Sequence, residues 1–195
     1  MNKLIFITGL ILVGLNLNSQ TIENYDLILK DSVYYKQGTI YTGKFYSTYK
    51  NGKIKQEGFI KNGKLDSIFT FYDKVGNPTV ICKYINGKLN HKILFYPKTS
   101  IVKRKISLYN AIEDGLCISY YTNGLPQDSG NYAMGKKTGK WTYWNLKGQK
   151  NLEITIHEDC WERTDYIFSK DSIYSKTEFF DKFGRRMKNK NLKKL

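Results

Sequence analysis

Written in rows of 24 residues, this chain repeats itself without a gap. Rows beginning at Thr42, Asp66, Asn90, Asp114 and Thr138 read "TGKFYSTYKNGKIKQEGFIKNGKL", "DSIFTFYDKVGNPTVICKYINGKL", "NHKILFYPKTSIVKRKISLYNAIE", "DGLCISYYTNGLPQDSGNYAMGKK" and "TGKWTYWNLKGQK". Gly52, Gly76, Gly124 and Gly148 fall in one column, interrupted only by Ser100. Gly63, Gly87 and Gly135 fall in a second, interrupted only by Ala111. A fixed period of this length is the mark of a repeat array, in which each unit buries its apolar surface against its neighbours.

Each row divides into two halves of about a dozen residues, each closed by a glycine turn. Asn-Gly stands at 51–52, 62–63, 86–87 and 123–124. That pair is the strongest short-range hairpin signal, because both residues tolerate the positive φ of a tight turn. Runs of about six residues rich in Phe, Tyr, Ile and Thr lie between the turns, and those are strand residues. No room is left for helices. The expected fold is all-β: an elongated antiparallel meander of β-hairpin repeats, mostly a single-layer sheet. Row three carries Pro97, Ser100 and Ala111 in place of the residues of the other rows, so a longer or distorted turn is expected there.

Two side-chain columns indicate what such a sheet buries. Phe45, Phe69, Ile93, Cys117 and Trp141 share one phase, and Thr48, Tyr72, Tyr96, Tyr120 and Trp144 share another three residues on. An odd offset places the two columns on opposite faces of a strand. Tyr72, Tyr96, Tyr120 and Trp144 therefore form a candidate interaction surface. The cadence continues through "NLEITIH" and "DYIFSK", with His157 to Cys160 turning between them, to "SIYSKTEFFDKFG". Upstream, "DLILKDSVYYKQGTIYTG" supplies a first hairpin.

The rows "GKKTGKWTYWNLKGQK" and "GFIKNGKLDSIFTFYDKVGN" resemble MORN repeats, in the variant form of bacterial YwqK-type, antitoxin-like proteins. The resemblance covers roughly residues 33–150 and continues more weakly to 186. It implies β-hairpin arrays that serve as scaffolds or contact surfaces.

The ends differ from the array. "MNKLIFITGLILVGLNLNSQ" has a positive start at Lys3, an apolar run from Leu4 to Leu17 and a small residue, Ser19, before Gln20. The run is shorter than the roughly 20 apolar residues of a membrane span, and it ends in Asn-rich sequence. Residues 1–19 therefore read as a cleaved export signal, the alternative being an uncleaved anchor. Residues 20–32 form a lead-in, 33–186 the array (clearest over 42–148), and 187–195 a basic tail. The expectation is export to the periplasm, the outer surface or the medium, with no stable membrane span once the signal is cleaved.

Chemistry is sparse. Two histidines, His91 and His157, and three cysteines, Cys82, Cys117 and Cys160, are present. The one compact cluster, His157-Glu158-Asp159-Cys160, holds zinc-ligand types, but neighbours on a strand point to opposite faces, so a polar turn is the simpler reading. No phosphate loop, nucleophile elbow or metalloprotease motif occurs. No catalytic, metal or cofactor residues are assigned. Cys82 and Cys117 should lie about three strands apart, roughly 14 Å at the usual strand spacing, beyond disulfide reach.

The formal charge of +15 is the remaining anomaly. Such a chain either attracts an acidic or anionic partner or uses its charge for solubility. The leading expectation is an exported, non-enzymatic β-repeat module that binds a protein or an anionic envelope component, nucleic acid being set aside. The alternative is an antitoxin or immunity protein that neutralises a toxin by surface binding. A third reading, a metal enzyme built on His157 and Cys160, has the least support.

Overall fold

The computed structural model describes residues 21–23, 27–168 and 173–187. Residues 1–19, expected to be an export signal, and all but the first residue of the expected basic tail lie outside the described residues. The chain is all-β, with no helix among them, and its main body is an open antiparallel meander of twelve strands. In chain order these are β5 (Gly43–Thr48), β6 (Ile54–Lys61), β7 (Lys64–Tyr72), β8 (Pro78–Ile85), β9 (Lys88–Phe95) and β10 (Val102–Tyr109), followed by β11 (Ile112–Tyr120), β12 (Pro126–Ala133), β13 (Lys136–Trp144), β14 (Lys150–Ile156), β15 (Cys160–Phe168) and β16 (Ile173–Asp181). Each pairs with the next. Strand β1 (Thr21–Glu23) adds to β5 in parallel, and β2 (Ile28–Lys30), β3 (Val33–Lys36) and β4 (Thr39–Ile40) form a small separate sheet.

Two kinds of turn alternate along the edges. The narrow ones are two-residue type I′ turns, with both residues at positive φ: Asn62 (50°) and Gly63 (72°), Asn86 (50°) and Gly87 (80°), Met134 (48°) and Gly135 (80°). Their twist matches that of the flanking strands, which is why this type closes hairpins. The wide turns span five residues. At Tyr49–Lys53 the Tyr49 amide donates to the Lys53 carbonyl and the Gly52 amide to the Tyr49 carbonyl, and the pattern recurs at 73–77, 121–125, 145–149 and 181–185. Gly52, Gly76, Gly124 and Gly148 are at positive φ here.

Successive rows are tied edge to edge. The amide of Gly87 donates to the carbonyl of Leu65, and that of Gly135 to Glu113, each joining a narrow turn to the one before it. Asp66 and Asp114 repeat the tie with their side chains, accepting from the amides of Asn86 and Met134.

The buried side chains show how one sheet makes a core. Phe45, Phe69, Cys117 and Trp141 are all 5% exposed or less. Opposite them runs a second 24-residue column: Gly58, Cys82, Ile106, Gly130 and Ile154. Wide bulges set Ser67, Ile68 and Phe69 against Gly58, and Gly139, Lys140 and Trp141 against Gly130. The rings then lie directly over the glycines: a Cβ added at Gly58 would overlap the Phe69 ring, and one at Gly130 the Trp141 ring. Where the opposing residue is the larger Ile106, the ring position is the small Cys117.

Row three departs from the register. The wide turn after β9 is one residue longer, the Tyr96 amide donating to the Ile101 carbonyl with Lys98 at φ 59°. The bulge in β9 is correspondingly smaller, only Asn90 being extra. The row keeps its 24 residues, but β9 slips by one. Lys92, not the expected Ile93, pairs with Cys82 and Ile106 on the core face, and Ile93 pairs with Ile81 and Lys105 on the other. The narrow turn of the same row is regular, with Asn110 and Ala111 at φ 49° and 65°.

The slip divides the core. One cluster gathers Tyr41, Phe45, Ile60, Phe69 and Cys82, and the second Ile106, Cys117 and Trp141, with Lys92 between Cys82 and Ile106. Replacing Lys92 with methionine, of similar length and no charge, should join the clusters and stabilise the fold by about 1 kcal/mol, read as a higher urea midpoint. Gly130→Ala should act in the opposite sense, costing about 1–3 kcal/mol by forcing the Trp141 ring off the strand.

Candidate functional site

The face opposite the core carries the candidate residues. Tyr72, Tyr120 and Trp144 each end a strand, and all three are half-buried. The Tyr72 hydroxyl donates to Glu57 Oε1 at 2.5 Å. Lys105 Nζ lies 5.6 Å from the centre of the Tyr120 ring. The carbonyls of the same three residues accept hydroxyl hydrogen bonds from the preceding row: Tyr49 to Tyr72, Tyr96 to Tyr120 and Tyr121 to Trp144, each at 2.7 Å.

Tyr96 thus differs from the other three. Because β9 slips, Phe95 occupies the strand end equivalent to Tyr72, Tyr120 and Trp144, and Tyr96 opens the turn as Tyr49 and Tyr121 do. The row-to-row tyrosines Tyr49 and Tyr121 were not singled out in the sequence. A tyrosine standing three residues before a column glycine was the available signal, at 49 and at 121.

The strongest electrostatic feature lies further along the same face. Glu153 is 8% exposed, and its carboxylate accepts from Lys140 (2.8 Å), Lys150 (3.0 Å) and the Tyr166 hydroxyl (2.5 Å). Burial alone would raise this carboxyl; the hydrogen bonds from Lys140, Tyr166 and Lys150 outweigh it and bring the pKa down to about 2. The hydrogen bond to Glu153, with burial second, pushes the Tyr166 phenol up to about 12. The cluster's hydrogen bonds are all made, and it fastens β13, β14 and β15 together.

The three cysteines are free. Burial raises the thiols of Cys82 and Cys117, only partly offset at Cys117 by the Arg104 Nε–H, 3.1 Å from its sulfur. Both pack as small apolar groups. In the His157–Cys160 turn, His157 Nε2 and Glu162 Oε1 share a hydrogen bond of 3.0 Å, and Asp159 reaches Lys182 at 3.7 Å. Among the described residues no three His, Cys, Asp or Glu side chains converge as metal ligands. His91 is exposed, within a recess of about 280 Å³ on the β7–β10 part of the face. No helix among the described residues is long and apolar enough to cross a membrane.

No family model and no curated protein matches the chain. Among solved structures, the chain has a distant likeness to one titled as accessory secretory protein 1, 2 and 3 in Streptococcus pneumoniae, at 15% identity and a TM-score of 0.19. The match covers 76% of this chain and 21% of that one, so the chain spans about a fifth of its length.

The depressed pKa of Glu153 sets an acid limit. A carboxyl whose pKa falls on folding contributes stability above its unfolded value, lost as pH falls towards the folded one. Glu153→Gln should cost about 2 kcal/mol at neutral pH, and the difference from the wild type should shrink between pH 4.5 and about 2. Urea midpoints measured across that interval check it.

Proposed function

We propose that this protein is an exported, non-enzymatic β-repeat module that binds a protein or an anionic envelope component through the face carrying Tyr72, Tyr120 and Trp144. The observation that supports this reading is a long open sheet whose outer face sets lysines beside aromatic rings. Lys103 stands 5.8 Å from the Tyr96 ring centre, Lys105 5.6 Å from Tyr120 and Lys150 5.4 Å from Tyr166. The resemblance to MORN-type variants supports a scaffold role for the same surface. Export rests on the segment 1–19 and gives the charge that remains, +14 once Lys3 is lost from the +15, an anionic environment to meet.

The contact should be electrostatic in its range and therefore sensitive to salt. Immobilised protein, challenged with an envelope extract at low ionic strength, should retain a specific component and release it steeply as salt is raised. Retention that ignores salt would remove the charge-driven version, and failure to retain anything at any ionic strength would overturn the reading.

A further inference from the structure

Between Lys74 and Ile112 the chain contains no aspartate or glutamate and eight lysines and arginines. These residues build β8, β9 and β10, the centre of the sheet. The ion pairs lie elsewhere: among the described residues every one except Arg104–Glu113 falls between residues 140 and 186. Lys83 and Lys105 in the centre have no carboxylate partner there, whereas Lys140 and Lys150 share Glu153.

The slip of β9 shapes the outer face of this acid-free region. It turns Ile93 outward, where it pairs with Ile81 and Lys105, while Ile68 pairs with Lys83 and Lys83 with His91. Paired residues share a face. The result is a recess of about 280 Å³ with Ile68, Ile81 and Ile93 as its apolar wall and Lys83, His91 and Lys105 around them. Through Ile68, which is 51% exposed, it adjoins a larger groove of about 540 Å³ between β5 and β7. The six strands β5 to β10 span ~24 Å at the usual spacing, the length of about seven extended residues.

From this we infer that the outer face of β7–β10 is the docking site for an acidic, leucine- or phenylalanine-bearing segment of a partner protein. The inference rests on the binding-module reading and names its surface and its partner's chemistry. Unpaired lysines call for carboxylates, and the isoleucine wall calls for apolar side chains on the same ligand. A hydroxylated polysaccharide or a phosphate backbone would satisfy the lysines and gain nothing from isoleucine. A flat bilayer surface would meet the lysines and not the recessed wall.

The test is a titration of the full chain with a fluorescein-labelled peptide of about eight residues repeating Glu-Glu-Leu-Leu, which in extended form sets glutamates and leucines in turn along each of its faces. It should bind, and its Glu→Gln and Leu→Ser counterparts should bind about tenfold more weakly or worse. On the protein, K83E/K105E and Ile68→Thr should each weaken the parent peptide about tenfold while keeping the wild-type unfolding midpoint. K136E/K147E, with the same net charge as K83E/K105E but outside the recess, should leave binding unchanged. No binding of the parent peptide, equal binding of the Leu→Ser peptide, or equal weakening by K136E/K147E would each overturn the inference. So would phosphatidylglycerol vesicles that bind with this dependence on Ile68 and Lys83 when the peptide does not. An envelope component still retained by K83E/K105E would overturn this site and leave the binding-module reading standing.

Discussion

A sheet with no second layer must find its core within itself, and here aromatic rings laid over glycines supply it. Phe69 covers Gly58 and Trp141 covers Gly130, each ring crossing a wide bulge to reach the neighbouring strand. Across the bulged pairings the sizes complement each other: Phe69 and Trp141 lie over glycines, and the small Cys117 faces the large Ile106. Interior packing density demands that complementarity, since a Cβ under a ring or a void beside a glycine would each cost stability. The bulges, the alternating turns and the row-to-row hydrogen bonds serve the same contact by holding each ring at the strand that receives it.

Turn chemistry was plain in the sequence because it is local. Asn-Gly marks a turn at all four of its places, but only Asn62–Gly63 and Asn86–Gly87 form type I′ turns; at Asn51–Gly52 and Asn123–Gly124 the glycine alone takes positive φ, inside a five-residue turn. The strands between them followed from composition and spacing. Faces were harder, because a face depends on every bulge preceding it. The odd offset between the two aromatic columns holds in β7, β11 and β13, but in β9 the smaller bulge at Asn90 and the longer turn at Tyr96 cancel in length while shifting register. An ungapped alignment conceals that pair of changes. Ile93 and Tyr96 kept their columns in the sequence and lost them in space.

Gly58 and Gly130 were missed for a different reason. Turn glycines announce themselves through neighbouring Asn, whereas a mid-strand glycine signals only weakness or close approach. The signal lay in the pairing of a strand glycine with an aromatic eleven residues later, Gly58 with Phe69 and Gly130 with Trp141. The network at Glu153 was similarly hidden. Lys140, Lys150 and Tyr166 lie on three different strands, and only the sheet register brings them to one carboxylate.

The strands that carry the slip and divide the core are also strands that bring no carboxylate of their own. In the C-terminal half, carboxylates neutralise the cations beside them on both faces: Glu153 on the outer face binds Lys140 and Lys150 across β13 and β14, and Glu178 on the core side binds Lys176 and Arg186. In β8–β10 a lysine occupies the core column, and an isoleucine that would have filled it faces outward. Joining the two clusters through an apolar residue at 92 would be the more stable arrangement for an isolated chain, because Lys92 interrupts an otherwise continuous apolar column. A sequence that forgoes such a gain locally, and leaves its lysines without carboxylates at the same place, has the character of a surface shaped by something outside the fold.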